Sequence, residues 1–262
     1  MKKLSFWFLS LLAVTMLTSC LNDNNEPVDK RTDDITINSR SVSGDKVVFS
    51  QNVATFTLDK VNMTLSISGG YLDANGAPHT FTTPEMTLTP MSSGVYSFKS
   101  EGNLNIRGRI DLMTYTIWYT FGAEGANQTY CTSQLIYSHG TTTVTNPENG
   151  NKVNNTNSQY MFSIDAKCEK CAMAISDFAP NLTGSIQASR IYWEGLSITP
   201  TTTGYVITAA EAQSNYQTAS TAITDLHVTI DDQCNVLNGS FKCNGVDISM
   251  RDTLFPADIN SL

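Results

Sequence analysis

Histidine is scarce in this chain, basic residues are outnumbered by acidic ones, and the common signatures of catalysis are missing. The three histidines, His79 in a turn after Pro78, His139 at a Ser138-His139-Gly140 bend and His227 on an outward strand position, have no partner at helical or strand spacing, so no imidazole-centred acid–base pair or metal cluster is predicted. His-Glu-x-x-His, Gly-x-Ser-x-Gly and a glycine-rich phosphate loop are all absent, which removes the motif-based case for a zinc protease, a serine hydrolase or a nucleotide hydrolase. No catalytic residue, metal site or cofactor is therefore predicted. Lys and Arg number 16 against 24 Asp and Glu, and charged residues make up 15% of the chain. Such a weakly charged, acidic protein has no electrostatic reason to bind nucleic acid or an anionic surface. Amphipathic helices are missing as well. Only Thr208 to Ala222 is helix-permissive, through its alanines, and at most one short helix is expected there.

The chain does have a distinctive start. Lys2 and Lys3 precede an apolar run from Leu4 to Leu17, the pattern of a secretory signal. The run falls short of the roughly 20 apolar residues of a membrane span. Leu17-Thr18-Ser19-Cys20 follows directly and resembles the lipobox of bacterial lipoproteins. That resemblance implies removal of residues 1–19, acylation of the Cys20 thiol, and a membrane as partner through the anchor, each buried CH₂ contributing about 0.8 kcal/mol. Loss of Lys2 and Lys3 with the leader takes the formal charge from −8 to −10. Leu21 to Asp34 is rich in Asn and Asp with little to bury, so residues 20–43 are expected to form a flexible tether.

Beyond it the pattern is all-β. Apolar and Thr or Ser residues alternate in Thr55-Phe56-Thr57-Leu58, Met63-Thr64-Leu65-Ser66-Ile67 and Met86-Thr87-Leu88-Thr89, as in half-buried strands. Gly69-Gly70, Asn75-Gly76, Ser93-Gly94, Asn149-Gly150 and Asn244-Gly245 supply turns between them. The two halves also answer each other. Val47 to Ser50 matches Leu135 to Ser138, and Thr55 to Asp59 matches Met161 to Asp165. Leu88-Thr89-Pro90 with Gly94 matches Ile198-Thr199-Pro200 with Gly204, and Leu104 to Ile106 matches Leu226 to Val228. A tandem duplication of small antiparallel sandwiches, meanders or barrels is predicted, with residues 44–126 and 127–262 as the two repeats and the boundary in Gly122 to Ser133. The polar stretch Asn146 to Ser158 is expected to be an enlarged hairpin turn within the second repeat.

The lipobox, the weakly charged β-rich body and the run from Tyr137-Ser138-His139-Gly140 through Thr145 to Asn146-Pro147 resemble Bacteroidetes envelope lipoproteins with calycin-like, that is lipocalin-like, β domains. Asp23 and Glu26, close behind Cys20, resemble the surface-export signal of such proteins. The resemblance implies an outer-membrane address, on the surface-exposed side in preference to the periplasmic one.

Five further cysteines are present. Cys168-Glu169-Lys170-Cys171 has one zinc-like interval, but Cys234 and Cys243 are nine apart and do not repeat it, so hairpin-facing thiols or disulfides within each pair are expected instead of a metal site. Asp59 and Asp165, equivalent in the two repeats, each end a strand. A paired-carboxylate hydrolase would use such residues, but turn capping is the expected role. In Thr114 to Phe121, alternation puts Tyr115, Ile117, Tyr119 and Phe121 on a core face and Thr116, Trp118 and Thr120 on the opposite one. An outward tryptophan between threonines is a candidate platform for a sugar ring. Covering an edge or packing on the second repeat, for instance near Tyr192 or Trp193, is the alternative. A non-catalytic structural or adhesive envelope module is thus expected. A binder of glycan, of a small apolar ligand or of another envelope protein comes second, and a cryptic envelope hydrolase third.

Overall fold

The computed structural model describes residues 30–100, 104–122, 127–176, 190–215 and 221–252. The lipobox and Cys20 lie outside the described residues. Every regular element among those described is a β-strand. Ten strands make the first unit: β1 (Lys30–Ser43), β2 (Lys46–Asp59), β3 (Thr64–Leu72), β4 (Pro78–Thr82), β5 (Met86–Thr87), β6 (Thr89–Ser92), β7 (Val95–Ser100), β8 (Ile106–Asp111), β9 (Thr116–Gly122) and β10 (Asn127–Ser133). Eight make the second: β11 (Leu135–Thr145), β12 (Lys152–Ile164), β13 (Lys170–Ser176), β14 (Ile191–Thr201), β15 (Gly204–Ala212), β16 (Ile223–Asp231), β17 (Val236–Cys243) and β18 (Val246–Asp252). The second unit is a closed antiparallel barrel in chain order, and the first is an antiparallel sheet in the order β4-β3-β2-β1-β10-β9-β8-β7-β6, with β5 paired to β3.

Both units are meanders whose first and last strands pair, β1 with β10 and β11 with β18. In the first, Leu65 of β3 pairs Met86 of β5, and β6 then pairs β7, so Met86–Ser92 carries the sheet round towards its other edge. Cys171 pairs Leu196 in the barrel at the matching place, six residues past Asp165 as Leu65 is six past Asp59. The duplication is therefore visible in the register. Two correspondences shift. Val47 to Ser50 lies on a second strand and Leu135 to Ser138 on a first. The left-handed residues Asn105 (φ 44°) and Asp225 (φ 56°) align Ile106 with Leu226, two places from the expected match.

The unit boundaries differ from those expected. Residues 30–43 are strand β1, not tether, because Ile35 and Ile37 alternate with polar residues and both edges are paired, to β2 and to β10. β10 completes the first unit, which moves the boundary to Gln134. Lys152–Ser158 is strand, so the hairpin turn shrinks to Asn146–Asn151. Thr208–Ala212 is strand within β15, since pairing with β16 outweighs the helix propensity of its alanines.

One apolar cluster fills each unit. Aromatic rings of β2, β3, β4 and β9 meet inside the first, with Tyr71 and Phe121 edge to face at 4.5 Å and Phe81 5.2 Å from Phe121. Trp193, Phe162 and Tyr160 are wholly buried in the barrel. β11 alternates inward and outward along its whole length, yet Ser138, Gly140 and Thr142 are among its inward residues. Tyr160 occupies the space above Gly140 and shares a hydrogen bond with Thr142, 3.0 Å between hydroxyls, which satisfies two polar groups in the core.

Candidate functional site

Among the described residues, charged, aromatic and hydroxyl side chains converge at the contact between the units. On the outer face of the first sheet, cross-strand pairing sets Arg40 of β1 beside Tyr130 of β10, and Trp118 of β9 beside Thr132 of β10 and Arg109 of β8. The barrel rests an end on this face, presenting the β14–β15 and β16–β17 turns. Arg40 donates to the Thr201 carbonyl at 2.7 Å and pairs with the Asp232 carboxylate, with its guanidinium 4.4 Å from the Tyr130 ring centroid. Trp118 donates its indole N–H to the Asp232 carbonyl, and Arg109 donates to the Gln233 carbonyl at 2.5 Å. Burial raises the Asp232 carboxyl above its ordinary value, with Arg40 pulling the other way, and burial likewise lowers the Arg109 guanidinium.

Trp118 is thus 5% exposed and belongs to the barrel's apolar cluster although the first unit carries it. The expected face is right, and of the two readings of that face it is packing on the second unit, not an exposed platform, that the structure shows, because the barrel sits there. Its neighbours there are the Asp232 turn and Cys234, not Tyr192 or Trp193. Thr120 is buried as well and donates to the Thr129 carbonyl at 2.9 Å, while Thr116, half-buried, shares a hydrogen bond with Thr114. These three side chains do not form an open platform for a sugar.

A cleft opens along this contact, lined by Arg109, Thr116, Trp118, Tyr137, His139 and Cys234 among others, and encloses about 40 Å³. That is room for about two or three waters, far below the ~300 Å³ of a typical organic-ligand site. A second cleft, beside Tyr71, Asp73 and Phe121, encloses about 70 Å³. His139 lines the first cleft, and His79 contacts Asp73 and Tyr71 of the second; both histidines have partners. His139, on β11 and not in a bend, lies 3.1 Å from the Tyr137 hydroxyl, two residues away on the same strand face. His79 contacts Asp73 at 3.1 Å across the β3–β4 hairpin and stacks on Tyr71. Backbone N–H donation from Ala77, then His79, holds the Asp73 carboxyl below the usual range. Asp73 is therefore a turn cap with an imidazole leaning on it. Asp59 and Asp165 are caps too. Asp59 accepts from Val61 and Asn62, Asp165 from Glu169 and Lys170, and they sit in different units. Among the described residues no group of three His, Cys, Asp or Glu side chains is arranged to hold a metal.

All five described cysteines are buried, and Cys131, Cys168, Cys171 and Cys234 are free thiols. Cys168 and Cys171 pack into the barrel's apolar cluster without a bond between them. Cys234 and Cys243 cannot pair. They stand at opposite ends of β17, more than about 20 Å apart at ~3.3 Å per residue, where a disulfide needs Cα atoms within about 7 Å. Burial pushes Cys131, Cys168 and Cys234 up to about 12 and Cys243 to about 11.

Comparison of the chain with protein-family models, curated proteins and solved structures gave no match. Arg40, Arg109, Tyr130 and Asp232 are interface residues that sequence reasoning missed, Arg40 because it falls in the stretch read as tether. The alternation Ile35-Thr36-Ile37-Asn38-Ser39-Arg40 was the signal that marks it as strand.

Proposed function

We propose that this protein is a lipid-anchored, non-catalytic module of the bacterial cell envelope, structural or adhesive, held at the outer membrane through acylated Cys20 with its body on the exposed side. The observation that carries this is Leu17-Thr18-Ser19-Cys20, placed directly after an apolar run of signal length. What supports it in the fold is the pairing of two β units through buried Arg40 and Trp118, which suits a stiff element standing on a membrane better than a hinged enzyme. A glycan platform at Trp118, Thr116 and Thr120 loses its main support with the burial of Trp118 and Thr120, and the two clefts are small for an apolar ligand. A hydrolase built on Asp59 and Asp165 loses support from their separate, turn-capping positions.

Metabolic labelling with a radioactive fatty acid, fractionation and protease treatment of intact cells test the proposal together. The wild-type chain is expected to carry label, to sediment with outer membrane and to be cleaved by external protease. The Cys20→Ala variant is expected to lose label and membrane association. Label persisting on Cys20→Ala, or a wild-type chain without label, overturns the anchor. Full protection of the labelled protein in intact cells places it on the periplasmic face instead.

A further inference from the structure

Two hairpin turns of the first unit are built alike. Asp59 closes β2 and accepts from the backbone N–H of Val61 and Asn62 at 3.0 and 2.8 Å, and Asp111 closes β8 and accepts from Met113 and Thr114 at 2.8 and 3.2 Å. With the carboxylate folded back on the backbone, the residue two places on points into solvent. Val61 is 66% exposed and Met113 74%. The β6–β7 hairpin adds Met91, also exposed, and Met113 lies against Gly94 of that hairpin. All three tips are at the end where β1 begins. Lys30 pairs with Asp59 across the strands, Arg31 covers the Tyr115 ring at 5.6 Å, and Leu112 donates to the Gly94 carbonyl.

This kind of turn does not require an apolar residue at its tip. The matching turns of the barrel, capped by Asp165 and Asp231, carry Lys167 and Gln233 two places on. The Asp231 turn is covered by the first unit, while the apolar tips of the first unit have no cover from the barrel. Lys30 is paired with Glu85 and Arg31 with Asp33, and the turns add Lys60 against Asp59 and Asp111, so this end has no excess of positive charge and contact there would be apolar in origin.

We infer that this end of the first unit rests on the phospholipid surface, with Val61, Met91 and Met113 inserted at the headgroup–acyl boundary. The inference depends on the anchor at Cys20. Cys20 is ten residues from Lys30, at most about 36 Å of chain. A link that short holds the tips near the bilayer at high effective concentration, so an insertion too weak to recruit the protein from solution becomes the resting state of the anchored one.

Quenching by brominated phosphatidylcholine tests this on full-length acylated protein reconstituted in vesicles, with acylation of Cys20 read by mass spectrometry. The described native tryptophans, Trp118 and Trp193, are buried and set the background. Met113→Trp and, as a second probe of the same surface, Val61→Trp are expected to lose at least half of their added emission. Asn149→Trp, at the tip of the β11–β12 turn on the far end of the barrel, is expected to lose none. Tip probes that behave like Asn149→Trp on a chain carrying acyl groups overturn the membrane contact and leave the anchor standing. A Cys20 without acyl groups overturns both. Emission protected by a dimer that Met113→Asp dissolves assigns the tips to a second copy, which also overturns it.

Discussion

Arg40 holds the two units together at the scale of one side chain, and its removal is felt at once by several groups. Arg40→Ala leaves the Thr201 carbonyl without that donor and Asp232 without its cation in a mostly buried contact. The expected loss is about 2–3 kcal/mol, below the range for a fully buried pair because the Asp232 side chain keeps 29% exposure. Urea unfolding checks it, and a loss under half a kcal/mol would mean that the pair is idle. The thiols make a second test. A buried thiol with a pKa near 12 is ionised in about one part in 10⁴ at pH 8, and only the thiolate alkylates. Native protein is expected to take up no iodoacetamide at Cys131, Cys168, Cys171, Cys234 or Cys243, and unfolded protein to react at all of them. Modification of one cysteine in the native state would show that it is reached through local opening.

Closure of the barrel depends on one strand element, β11, which must pair with β12 along its length and with β18 over its second half. Register with β12 shifts between Gly140 and Thr142, where two steps of β11 face three of β12 from Ser158 to Asn155, a bulge on β12 at the point where β11 begins to pair with β18. Gly140 is required there. A Cβ would come 2.2 Å from the Arg251 carbonyl oxygen on β18 and 2.6 Å from the Tyr160 ring. Gly140→Ala is expected to cost about 2–3 kcal/mol, at the upper end of overpacking effects, and to speed amide exchange in β18 before other strands. Uniform exchange across the barrel would rule out a local seam. Elements like this show what could be read from the chain. Strand alternation and the Asp59/Asp165 and Pro90/Pro200 anchors made the all-β duplication legible, because period-two burial and turn chemistry are local. Gly140, by contrast, reads as a bend after Ser138-His139, since nothing local reveals the strand packed across it. The boundary near Gln134 was hidden for a related reason. β10 belongs to the first unit through its pairing with β9 and with β1, and the second of these partners lies some 90 residues earlier, in the stretch read as tether.

Whether the molecule behaves as two domains or one is decided at the contact that the Trp118 pattern half disclosed. Alternation showed the side on which Trp118 lies, and packing on the second unit was one reading of it, but the partner there depends on a unit later in the chain, so Tyr192 and Trp193 were named where the Asp232 turn is found. Trp118 packs with barrel residues, its indole N–H is bonded to the β16–β17 turn, and Arg40 and Arg109 flank it on the same turn. Each unit has its own core. Coupling between them rests on these side chains together with Gln51, which donates to the Ile164 carbonyl, and with Phe49 and Tyr130, which pack against the barrel's cluster. Trp118→Ala removes a large buried ring, for which about 3–5 kcal/mol is typical. Together with Arg40→Ala it takes away most of what joins the two transitions. Calorimetry on the wild-type body is expected to show a single endotherm with equal calorimetric and van't Hoff enthalpies, and on the double variant two endotherms, one per unit. Two endotherms in the wild type would mean that the units unfold independently and that the contact, although buried, does not couple them.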